Sequence, residues 1–210
     1  MMSFQRNLLA LIALLSWLAV IAQFFISMEA STVDTVTQTV RFFSYFTILT
    51  NLMVAVYSTS LWLSPKRSIA VFFAKSTAST AVTLYILLVG LVYNLVLRGI
   101  WQPQGMARVV DETLHSIVPL LVLCHWWCIP DKGLLKWKDI LGWLIYPFVY
   151  LIYTLAHGAI SGFYPYPFVD VDALGLSKVL INSFIVGLAV VLMGVILIGI
   201  ARFKAQKGFK

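Results

Sequence analysis

Six long apolar runs divide the chain, at residues 7–28, 39–63, 75–97, 110–129, 140–160 and 177–201. At ~1.5 Å of rise per residue, each is long enough to cross the ~30 Å hydrocarbon core of a bilayer as a helix. Proline and charge mark most of the connections between them: Glu29 to Gln38, Ser64 to Ala74, Arg98 to Arg108, Pro130 to Asp139 and Ser161 to Leu176, with a basic tail from Arg202 to Lys210. The pattern predicts an all-α integral membrane protein, a single six-helix transmembrane domain over 1–210. The first run is longer than the ~7–15 residues of a signal-peptide core and lacks a small-x-small cleavage site, so it reads as a helix.

Composition agrees with lipid as the main solvent. Hydrophobic residues make up 61% of the 210 and charged residues 11%, far from the soluble average in both directions. The formal charge of +7 does not point to nucleic acid, because the basic residues are scattered between apolar runs and form no face or motif. They read as topology determinants. With the amino terminus inside, Arg6, Lys66, Arg67, Lys75, Lys132, Lys136, Lys138, Arg202, Lys204, Lys207 and Lys210 are cytoplasmic, eleven of the fifteen. Arg41, Arg98, Arg108 and Lys178 lie opposite. That asymmetry predicts six spans with both termini cytoplasmic.

With orientation set, the polar side chains inside the runs sort by depth, and they gather on the outside. Arg41, Ser44, Thr47, Thr50 and Asn51 occupy the outer half of the second run, and Asn94 and Arg98 close the third. Asp111, Glu112 and His115 open the fourth. Thr154 and His157 lie near the outer end of the fifth, and Asn182 and Ser183 in the first turns of the sixth. Ionisable groups are costly in a membrane, so this clustering predicts a water-accessible cavity opening outward.

Within the cluster, Ser44, Thr47 and Asn51 follow helical spacing and are expected on one face, as are Asp111 and His115. Thr47 and His115 fall at similar depths, about 12 and 8 Å from the outer ends of their runs. A threonine hydroxyl needs an adjacent base to become a nucleophile, and histidine has a suitable pKa. Asp111 is placed to orient that imidazole. Pro119 and Pro147 free the carbonyls of His115 and Trp143 and predict kinks there. Cys124 and Cys128, four apart with too few further ligands, read as buried small residues rather than a metal site or disulfide. His115 and His157 lie at depths compatible with paired haem ligation, which two histidines alone do not specify. Neither cofactor nor metal is expected. No Gly-x-Ser-x-Gly element, His-Glu-x-x-His pair or aspartate dyad of an intramembrane protease is present.

Arg41-Phe42-Phe43-Ser44-Tyr45-Phe46-Thr47, Leu114-His115 with Pro119, Tyr146-Pro147 and Tyr164-Pro165-Tyr166-Pro167-Phe168, in that order, resemble the androgen-induced and androgen-dependent membrane protein family in its bacterial branch. The resemblance covers nearly the whole chain. It implies a multi-pass hydrolase of fatty acid esters of hydroxy fatty acids, with Thr47 as nucleophile and His115 as its partner, and a bacterial inner-membrane location. Thr50, three residues on, is the alternative nucleophile if the register slips. Asp111, Asn51, Ser44, Arg41, Asn94, His157 and Asn182 are the expected orienting or cavity-lining residues. The expected partner is a membrane lipid or lipid-like ester. The competing reading is a transporter or lipid-binding membrane protein whose polar cavity binds without cleaving, although no inverted repeat or polar path through the inner half is visible.

Overall fold

The computed structural model describes residues 3–129 and 134–206, and among them every regular element is helical. Lys132, Lys207 and Lys210, used above to argue orientation, lie outside the described residues. Among the described residues five helices are long and apolar enough to cross a membrane: α1 (Ser3–Glu29), α3 (Phe46–Leu63), α5 (Ser76–Val92) with its continuation to Leu97, α8 joined to α9 (Asp139–Ser161), and α11 (Leu176–Gln206).

The run expected at 110–129 is helical, but as three successive pieces. α6 (Gly105–Glu112) passes through a π turn, Thr113–Ile117, into α7 (Val118–Cys128). Pro119 accounts for the change of register. Lacking an N–H, it cannot bond the His115 carbonyl, and the chain widens by one residue so that Val118 donates to Thr113. A second π turn, Tyr93–Leu97, ends α5. Gly90 lets the two approach, since a Cβ there would stand 3.0 Å from the His115 carbonyl oxygen and 3.4 Å from Pro119.

Two expected helices are broken. The run at 39–63 splits at Ser44 and Tyr45 into α2 (Thr35–Phe43) and α3. Asp34 caps α2, accepting the N–H groups of Val36 and Thr37 at 3.0 and 3.1 Å. The run at 140–160 divides at Leu144 into α8 (Asp139–Trp143) and α9 (Ile145–Ser161). The Trp143 carbonyl that Pro147 cannot reach accepts the Tyr85 hydroxyl at 2.9 Å instead. Short helices α4 (Ser68–Ala74) and α10 (Val171–Leu174) complete the chain.

α1 packs on α3, α6 and α7, and α5 packs on α3, α7 and α11. Their shared core holds Leu9, Ile12, Val54, Tyr57, Val122 and Trp126. α9 is different: only Thr154 and Gly158 of its 17 residues are buried.

Candidate functional site

The break between α2 and α3 is held open by tyrosines from the far end of the sequence. The first N–H groups of a helix have no partner within it, and in an apolar setting they must find one elsewhere. Phe46 N–H donates to the Tyr150 hydroxyl at 3.2 Å, and that hydroxyl donates to the Ser44 carbonyl at 2.9 Å. Thr47 N–H donates to the Tyr166 hydroxyl at 3.1 Å. Thr47 is therefore the second residue of α3, at the positive end of its dipole. Its Oγ1 lies 3.2 Å from the same Tyr166 hydroxyl.

Tyr166 reaches this position from a stiff loop. Gly162 ends α9 in the left-handed conformation (φ 66°), and Pro165 and Pro167 flank the tyrosine. The Tyr164 ring rests directly on Gly158, where a side chain would collide with it. Burial pushes the Tyr166 hydroxyl up to about 12, so it stays protonated at neutral pH and acts as a hydrogen-bonding group rather than a base.

The two π turns supply the second half of the site. Nδ1 of His115 lies 2.9 Å from the Asp111 carbonyl oxygen and 3.2 Å from its Oδ1. A carbonyl can only accept, so Nδ1 carries the proton and Nε2 is left as the basic nitrogen. The imidazole stacks on Tyr93 with centroids 4.1 Å apart and planes at 18°, and the Tyr93 hydroxyl donates to Asp111 Oδ2. Arg98 braces this arrangement from outside. It pairs with Glu112 at 2.7 Å, donates to Ser116 at 3.3 Å, and sits over the Tyr93 ring.

Thr47, Asp111 and His115 all line one polar cavity of about 560 Å³, together with Arg41, Tyr45 and Tyr93. Arg41 lies over the Phe163 ring at 4.7 Å. Among the described residues no hydrogen bond joins Thr47 to His115; both line the same cavity. A second, apolar cavity of about 370 Å³ meets the first at Thr47, Leu97 and Tyr166, which line both.

The other expected residues lie elsewhere. Asn51 is fully buried behind Thr47 and spends both amide hydrogens on the carbonyls of Thr47 (2.9 Å) and Leu114 (3.3 Å), joining α3 to the π turn of His115. Among the described residues its Oδ1 has no partner. Ser44 sits in the break, off the face that Thr47 shares with Asn51, bonded to Val40 and Tyr153. Thr50 is turned to Tyr146 at 3.2 Å and lines neither cavity. Asn94 is exposed and bonds back to Gly90, His157 stacks on Tyr153, and Asn182 ties α11 to the Phe168 carbonyl. None of these three lines a cavity.

Tyr93 and Tyr166 were not singled out from the sequence as site residues. A tyrosine between two prolines was the available signal for Tyr166; Tyr93 offers none. Comparison of the chain with protein-family models, curated proteins and solved structures gives no match.

Proposed function

We propose that the protein is an integral membrane lipid-ester hydrolase in which Thr47 is the nucleophile and His115 its general base. The observation that carries this reading is the position of Thr47. It lies on the wall shared by a polar cavity that holds the His115–Asp111 pair and an apolar cavity suited to hydrocarbon. Ester, base and lipid chain can all meet there.

In the proposed reaction, Thr47 Oγ attacks the ester carbonyl while its proton passes to His115 Nε2. Asp111 fixes the tautomer and stabilises the imidazolium. The negative charge that develops on the carbonyl oxygen lies at the N-terminus of α3, where the helix dipole favours it. Collapse expels the alcohol, which takes the proton from His115. Water, deprotonated by the same nitrogen, then releases the fatty acid and restores Thr47. The proposed topology has six spans, with Gly105–Cys128 as the fourth, and both termini cytoplasmic. Lysine and arginine asymmetry supports that orientation, which places the polar cavity outside. The resemblance to the bacterial branch of the androgen-induced protein family supports the reaction class and a bacterial inner-membrane location.

The test is fluorophosphonate labelling and ester turnover by purified protein in lipid nanodiscs. Thr47→Ala abolishes both, and His115→Gln lowers turnover by about 10²–10⁴-fold. Undiminished turnover in Thr47→Ala overturns the assignment. Lipid binding or flux without cleavage by the unaltered protein favours a binding or transport role in its place.

A further inference from the structure

Few hydrogen-bonding groups line the apolar cavity. Its polar lining is Thr47, Tyr166, Tyr150 and Ser183. Ser183 Oγ donates to the Val179 carbonyl at 2.8 Å, and the Tyr150 hydroxyl is engaged with Ser44 and Phe46. That leaves the Thr47–Tyr166 pair. The rest of the wall is hydrocarbon, chiefly from α5, α8, α9 and α11, including Leu88, Val92 and Val186, with Phe168 from the loop after α9. A ligand matched to it is a chain with a polar group at one terminus.

The mouth is on the flank of the bundle. Leu141, Ile145 and Phe148 line the cavity, yet are 70%, 62% and 62% exposed. An exposed residue that also lines a cavity stands at its opening. α9 buries little of itself, so packing does not seal the opening beside α11.

We infer that the acyl chain of the ester enters sideways from the membrane between α8–α9 and α11, lies in the apolar cavity, and presents its carbonyl at the Thr47–Tyr166 pair. The alcohol half occupies the polar cavity and leaves through it. This rests on the hydrolase reading for the position of the ester, whereas the chain site itself stands on the cavity.

Gly187 provides the test. It lines the cavity on α11, and a Cβ added there meets nothing within 4 Å, so a large side chain has room to enter without disturbing the fold. Gly199, on the same helix, is equally open but outside the cavity, and serves as the control. Gly187→Phe and Gly199→Phe are assayed in nanodiscs with 4-nitrophenyl palmitate and 4-nitrophenyl butyrate, and by crosslinking to palmitic acid carrying a terminal diazirine. The chain comes from lipid as apolar as the cavity, so blocking the cavity costs positioning rather than transfer energy, and misplacing a reacting group by 1 Å costs about a hundredfold. The expected result for Gly187→Phe is therefore an about hundredfold loss of kcat/KM on palmitate with butyrate unchanged. Crosslinks in the unaltered protein fall on Leu141 to Phe148 and are lost in Gly187→Phe, while Gly199→Phe matches the unaltered protein throughout. Equal effects on both esters, no effect of Gly187→Phe, or crosslinks elsewhere overturn the assignment. Failure of the hydrolase reading is separate: turnover then survives Thr47→Ala, and the crosslinking still reports whether the cavity holds the chain.

Discussion

Replacing Gly158 with alanine adds one methyl group far along the chain from Thr47, and the structure predicts that it disturbs the site. The new Cβ would stand 2.0, 2.3 and 2.4 Å from Cε1, Cζ and Cδ1 of Tyr164. Carbon atoms rest at about 3.5–4 Å, so the ring must retreat by about 1.5 Å or more. Three ring atoms are involved, one of them next to the Cβ stem, so the whole side chain has to leave α9. Tyr164 is joined to Tyr166 through Pro165, and a stiff link transmits the displacement. The Tyr166 hydroxyl holds Thr47 by contacts of 3.1 and 3.2 Å, and a further few tenths of an ångström breaks them. Helix propensity acts the other way, because alanine is favoured over glycine by about 1 kcal/mol within a helix. Overpacking costs about 1–3 kcal/mol, so the net effect is mild destabilisation. Misplacing a reactive group by 1 Å costs about a hundredfold in rate, so activity falls far more than stability. The assay pairs fluorophosphonate labelling rate with the thermal midpoint in nanodiscs. Removing the ring with Tyr164→Ala should make Gly158→Ala harmless in the double variant, a non-additive result. Normal labelling and an unchanged midpoint in Gly158→Ala would refute the chain of reasoning from Gly158 to Thr47.

Three further outcomes follow from the hydrogen bonds around Thr47. Tyr166→Phe leaves the buried Thr47 N–H without its acceptor and should cost about 1–3 kcal/mol. The raised pKa of Tyr166 means that its contribution is complete below the ordinary tyrosine value of 10 and is lost as pH rises towards about 12. Thermal midpoints measured from pH 9 to 12 should therefore fall more steeply in the unaltered protein than in Tyr166→Phe, and parallel curves would contradict this. Asn51→Ala removes the link between α3 and the Leu114 carbonyl and should also cost about 1–3 kcal/mol. At about 2–4 °C per kcal/mol for a chain of this size, a midpoint lowered by several degrees is the readout, and no change would mean that the link carries no load.

That the chain is built of long apolar helices was legible in the sequence, and rise per residue let positions on different helices be compared by level. Thr47, Asp111, His115 and Arg41 could be placed together on that basis, and they line one cavity. Depth does not give direction around the helix. Asn94, His157, Asn182, Ser44 and Thr50 were grouped with the site by level, yet none of them lines either cavity. In a soluble helix the apolar stripe marks the inward face, but lipid is as apolar as leucine, and helices apolar on every side carry no such mark.

Pro147 marked the interruption at Leu144 in the sequence, whereas the break at Ser44 was hidden for a related reason. An apolar run reads as one helix unless its backbone groups find partners elsewhere, and those partners are remote in sequence. Tyr150 and Tyr166 satisfy the start of α3 from 104 and 119 residues away, and Tyr85 takes the carbonyl freed by Pro147 from 58 away. The sequence by itself determined that the chain is a set of long apolar helices. The tertiary structure decided which polar groups share a cavity, and it set Thr47 in the wall common to two cavities, because only packing fixes how each helix is turned and which distant hydroxyl completes its backbone.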